Sequence, residues 1–126
     1  PPGAVLTVAA ETGAVPYDIP GVEYSHDGER CSFDAFVARH RLGDPALLAL
    51  ADIVRGADTS RLDLTPQSHG LFAISLGLSA VFADDQEMLR HGLVMYDALY
   101  AWCRSLRAET HAWPPAMPTA AKAAAA

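Results

Sequence analysis

The sequence predicts an all-α or mostly α domain, with about four core helices preceded by a loop-rich N-terminal arm. Three observations carry this. A capping residue stands directly before a proline twice, at Asp44 with Pro45 and at Thr65 with Pro66, so that proline falls on the first helical position, where its missing N–H matters least. Apolar residues recur every three or four positions over long stretches. The Gly and Pro residues that break these patterns cluster between them rather than inside them.

Residues 5–11 form a short apolar segment readable as helix or strand, closed by Thr12 and Gly13. Residues 14–28 hold Pro16, Pro20, Gly21 and Gly28 and read as an extended connector, in which VEYS suits a brief strand before a DG turn. Ser32 is then an N-cap candidate, and Phe33, Phe36, Val37 and His40 fall on one helical stripe that Gly43 ends.

The helix opened by Asp44 and Pro45 buries Leu47, Leu50, Ala51 and Val54 and runs out at Gly56. The one opened by Thr65 and Pro66 is apolar on nearly all sides from residue 71 to 83, which places it at the centre of the core. Asp84 or Asp85 caps the last helix, where Leu89, Leu93, Tyr96, Leu99, Tyr100, Cys103 and Leu106 repeat at helical spacing. The expected core is Leu47, Leu50, Val54, Leu71, Ile74, Leu78, Leu93, Leu99 and Tyr100. Residues 1–110 thus read as one domain and residues 111–126 as a Pro/Ala-rich tail with little to bury.

Composition narrows the function. The chain has 126 residues, 51% of them hydrophobic and 19% charged, as expected of a globular domain. A formal net charge of −6 argues against direct nucleic-acid contact by this chain, since that affinity rests on Lys and Arg displacing counterions. Lys122 is the one lysine, so the basic side chains are arginines, whose planar fork suits oxyanions. Two cysteines, Cys31 and Cys103, are too few for a disulfide framework. The N-terminal stretch has no signal-peptide pattern, and the apolar run 71–83 is shorter than the roughly 20 residues of a membrane span. A cytoplasmic protein without a membrane segment is expected.

One stretch concentrates chemistry. GVEYSHDGERCSFD gathers Glu23, His26, Asp27, Glu29, Cys31 and Asp34 around a DG turn. Imidazole, carboxylate and thiolate are ligands for zinc, iron or manganese, although HxxxxC alone has none of the force of paired CxxC motifs. A surface histidine beside a buried, inert cysteine is the bland alternative. Arg55 and Asp58 are either a helix-end arginine with a turn aspartate or a charged pair lining a pocket. Asp97, flanked by Tyr96 and Tyr100, is either satisfied by a tyrosine or Arg104 or stands behind a ligand as a supporting group. His40, His69, His91 and His111 have no such company and read as surface or packing residues.

The strings GAVPYDIPGVEYSHDGERCSFD, DPALLALADIVRGADT, RLDLTP, GLFAISLGLS and YDALYAWCR together resemble the C-terminal domain of the chromate-resistance protein ChrB, over residues 5–104. The resemblance implies association with chromate efflux operons and a sensing role in a chromate-responsive regulator. It marks Glu23, His26 and Asp58 as metal-site candidates, and Cys31 and Arg55 as ligand or oxyanion residues, with Asp97, Tyr96 and Tyr100 behind them. An arginine-rich opening segment usual in such domains has no counterpart here, and Gln67 replaces the family's usual acidic residue after the RLDL-P proline.

Three classes of function follow. A sensing module would take chromate or another oxyanion, or a divalent metal (Zn, Fe or Mn). A metal-dependent enzyme would use Glu23, His26 and Asp58 as ligands, but no nucleophile–base pair supports a named reaction, so catalytic residues are unassigned and an enzyme is the less favoured class. A scaffold, including a homodimer, is the third.

Overall fold

The computed structural model describes residues 1–108, and five α-helices account for most of them. These are α1 (Pro2–Thr12), α2 (Ser32–Arg39), α3 (Pro45–Asp58), α4 (Pro66–Val81) and α5 (Asp85–Ala108). The mostly α prediction holds. The N-terminal arm differs from a plain loop in carrying α1, which ends on Gly13 in the left-handed conformation, φ 71°. The expected VEYS strand is only an isolated bridge between Tyr17 and Tyr24, where Asp18 N–H donates to the Tyr24 carbonyl at 2.8 Å. The tail expected at residues 111–126, with His111, lies outside the described residues.

Helix ends follow cap chemistry, with three corrections. Cys31, not Ser32, is the N-cap of α2, and the Asp34 carboxylate three residues on accepts its N–H at 3.0 Å. Ser32 is instead buried and donates its hydroxyl to Asp18. That helix stops at Arg39 rather than Gly43, because Arg41 takes a left-handed turn, φ 51°, and Leu42 N–H returns to the Val37 carbonyl at 3.0 Å. Helix α3 passes through Gly56 to Asp58. The Asp44–Pro45 and Thr65–Pro66 starts are as read, with Asp44 accepting from Ala46 N–H at 2.9 Å and Thr65 from Ser68 N–H at 3.2 Å. Asp84 opens α5 by accepting from Glu87 N–H at 2.9 Å.

Helix α3 is the centre of the fold, touching α2, α4 and α5. The core is Ala46, Leu50, Ile53, Leu71 and Cys103, with Leu47, Val54, Leu99 and Tyr100 packed around it. The expectation that α4 is central is overturned. Its first turns, through Ser68 and Leu71, seat on α3, but much of its apolar second half is uncovered: Ile74, and Leu93 on α5, are exposed, and Leu78 is half-buried. An all-round apolar helix needs cover on every side, and among the described residues its neighbours cover only one of them.

Candidate functional site

The connector between α1 and α2 brings a histidine to the end of α3. Asp18, left-handed at φ 58°, is fixed by the Ser32 hydroxyl. His26 Nε2 lies 3.3 Å from Asp18 Oδ1 and 3.1 Å from Asp58 Oδ2, Asp58 being the last residue of α3. All three side chains are about half exposed. An Nε2–H of His26 can donate to either carboxylate, and the pair of acids presents negative charge to any cation placed there.

Tyrosines wall this cluster. Burial, then Cys31, Asp18 and Asp58, push the Tyr17 phenol up to about 12. Burial and then Asp58 raise the Tyr96 phenol, which is hydrogen-bonded to Ser75. Burial likewise raises the Asp58 carboxyl, against the lowering pull of His26. Tyr96 separates two apolar clefts, one of about 280 Å³ reaching Asp58 and Phe72, the other of about 330 Å³ lined by Tyr17, Phe33 and Leu50.

The expected metal set does not assemble. Glu23 pairs with Arg39 on α2, away from His26. Among the described residues no group of three or more His, Cys, Asp and Glu side chains is arranged to hold a metal ion. The carboxylate that joins His26 and Asp58 is Asp18, which the sequence reading passed over because a lone aspartate between two prolines looks like a turn.

A second feature lies on the other side of α2 and α3. A groove of about 430 Å³ is lined by Arg30, Arg41 and Arg55, with Asp34, Asp52 and Leu48. Arg55 donates to Asp52 and stands 3.8 Å from Asp34. Among the described residues, neither the Arg30 nor the Arg41 guanidinium has an ion-pair or hydrogen-bond partner, whereas Arg39, Arg61 and Arg90 are all paired with acids. Three guanidiniums against two carboxylates leave this groove positive in an acidic chain. Sequence reasoning found Arg55 but missed Arg30 and Arg41. The signal was there in GERC and RHRLGD, two arginines flanking the ends of one short helix.

Cys31 links the two regions without the character of a redox element. It is 1% exposed, its Sγ lies 3.4 Å from Asp34 Oδ2, and burial is the largest cause that pushes its thiol up. Such a cysteine stays protonated and packs. Tyr100 donates to Asp44 at the α3 cap, with Arg104 over its ring at 6.0 Å, so it supports a helix start and not the His26 cluster. Asp97 is exposed and, among the described residues, has no ion pair or hydrogen bond. His40 packs against Phe36 and approaches the Tyr24 hydroxyl at 2.9 Å, and His91 stacks on Phe82, in line with packing roles.

The family model described as ChrB, C-terminal domain matches residues 4–103. The chain belongs to this family. Membership associates this ChrB-type domain with chromate resistance, and the match takes in α1 from residue 4 onward and every residue of both features above. No curated protein and no solved structure matches the chain significantly. Among the described residues of the ChrB-type domain, no helix is long and apolar enough to cross a membrane.

Proposed function

We propose that the domain is the ligand-reading part of a chromate-responsive regulator and takes a tetrahedral oxyanion in the Arg30–Arg41–Arg55 groove. The observation that carries this is the pair of guanidiniums, Arg30 and Arg41, that have no partner among the described residues and face one groove of a chain with net charge −6. Chromate is a dianion, and two arginines match its charge with forked N–H donors. Arg55, already engaged by Asp52 and Asp34, is the responsive member: an arriving anion competes with those carboxylates for it. The domain itself makes no nucleic-acid contact in this reading, which leaves DNA to other parts of a regulator.

Titration calorimetry with chromate, and with sulfate as an isosteric competitor, tests it. Binding that weakens about tenfold or more in Arg30→Ala and Arg41→Ala is expected, the scale of a lost charge-assisted hydrogen bond of ~1.5–3 kcal/mol. Unchanged binding in the double variant would end the proposal.

A further inference from the structure

The arginine groove also carries two acids, and one of them is fixed in place. Asp34 lines the groove with a side chain only 12% exposed. Its Oδ2 is committed to the α2 cap, accepting from Cys31 N–H at 3.0 Å with Cys31 Sγ at 3.4 Å. That pins the carboxylate and leaves Oδ1 toward Arg55, whose Nη1 stands 3.8 Å away, beyond hydrogen-bond reach. Among the described residues, no hydrogen bond reaches Asp34 Oδ1. Since no buried side-chain oxygen among those residues lacks a hydrogen bond, Oδ1 is open to solvent. Asp52, on α3, is more than half exposed and already accepts from Arg55. An ionised carboxylate accepts and cannot donate, so Asp34 Oδ1 is an acceptor without a donor beside a set of N–H donors.

We propose that Asp34 makes the groove selective for tetrahedral oxyanions that carry a hydroxyl over those that carry none. Hydrogen phosphate, hydrogen arsenate and the hydrogen chromate that chromate forms near neutrality belong to the first class, and sulfate to the second. The inference rests on the oxyanion reading of the groove and names the ligand class within it. Arg30 and Arg41 serve both classes alike, because guanidiniums recognise charge and oxygen geometry. The carboxylate tells them apart. A sulfate oxygen set against Asp34 Oδ1 brings two negative atoms together with no hydrogen between them. Around a mostly buried acid, water and salt screen that repulsion little. A hydroxyl in the same position donates to Oδ1 and replaces the repulsion with a charge-assisted hydrogen bond. Asp34 thereby penalises the wrong anion as well as favouring the right one.

Calorimetry on the full chain, slightly above neutral pH, tests the assignment with anions matched in charge and shape. Phosphate is then mostly the hydrogen dianion, which differs from sulfate in its hydroxyl. Phosphate should bind about tenfold or more tightly than sulfate, the scale of one hydrogen bond to a charged group. Arsenate should exceed selenate in the same way. Asp34→Asn keeps an oxygen for the Cys31 N–H and turns an amide NH2 toward the groove, so the preference should fall to parity or invert. Glu87→Gln, which removes a negative charge from α5, should leave it unchanged. The native phosphate-to-sulfate ratio decides the matter even if Asp34→Asn weakens the fold. Equal binding of the two anions by the native chain, lost in Arg30→Ala, would overturn the role of Asp34 and leave the groove reading standing. A preference for phosphate that survives Asp34→Asn would overturn it as well. Binding of no anion would remove the groove reading itself, and this inference with it.

Discussion

The Ser68 hydroxyl donates to the Ile53 carbonyl at 3.0 Å, a bond that crosses from α4 to α3 over the bare backbone of Gly56. A Cβ at Gly56 would overlap Ser68 Oγ and stand 2.9 Å from the Arg61 carbonyl oxygen. Gly56→Ala therefore brings two opposed effects, a helix-propensity gain of about 1 kcal/mol and an overpacking loss of ~1–3 kcal/mol. The clash involves backbone and a bonded, buried serine that cannot swing away, so the loss dominates. Urea denaturation should show a lower midpoint with an unchanged slope.

Both thiols should be silent in the native state. Cys31 and Cys103 are each 1% exposed, and burial holds the Cys31 thiol above its ordinary range. A thiol reagent at neutral pH should modify neither until denaturant is added, after which both react. Rapid native labelling at Cys31, mapped by mass spectrometry, would restore a redox role for it.

Asp58 predicts a pH dependence whose sign is fixed by burial. Its carboxyl is raised, so the folded chain holds that proton more tightly than the unfolded chain does. Stability from this group is present below the ordinary carboxylate value of about 3.9 and declines as pH rises through the raised value. Asp58→Asn should thus match the native protein in acid and melt at a slightly higher temperature near neutrality. The side chain is half solvated, which keeps the gain small. A loss of stability at neutral pH would mean that attraction to His26 outweighs desolvation.

Among the described residues, helix α1 makes no contact with another helix, and its Val5, Leu6 and Val8 are exposed. An 11-residue helix is marginal in water without tertiary support. Its amides should exchange with deuterium far faster than those of α3 around Leu50. Protection of α1 equal to that of α3, in the full chain, would show that something holds it down.

Local chemistry was legible in the sequence, and long-range placement was not. The Asp44–Pro45 and Thr65–Pro66 starts were readable because capping involves residues two or three apart. Asp58 beside His26 was anticipated, since both sit in punctuated, polar stretches. Glu23 was misplaced because its partner, Arg39, lies 16 residues away on a helix face whose direction depends on the connector's path. The orientation of α4 was missed for a related reason: hydrophobicity records that a surface is covered, without saying whether the cover comes from the same chain. Arg30 and Arg41 escaped notice because each is unremarkable alone, and only α2 and its flanking turns bring them to one groove.

The central position of α3 has a kinetic consequence. Its contacts are with α2, α4 and α5, elements next to it or one removed along the chain, so no long loop must close before the core is seeded. Loop-closure entropy is then small at every step, and the chain can condense around α3 within the microsecond-to-millisecond range of helical domains. Arg55 and Asp58 ride on that same early helix. The groove and the histidine cluster therefore inherit their geometry from the first part of the molecule to form, while the connector that carries His26 and Asp18 settles onto a surface already built.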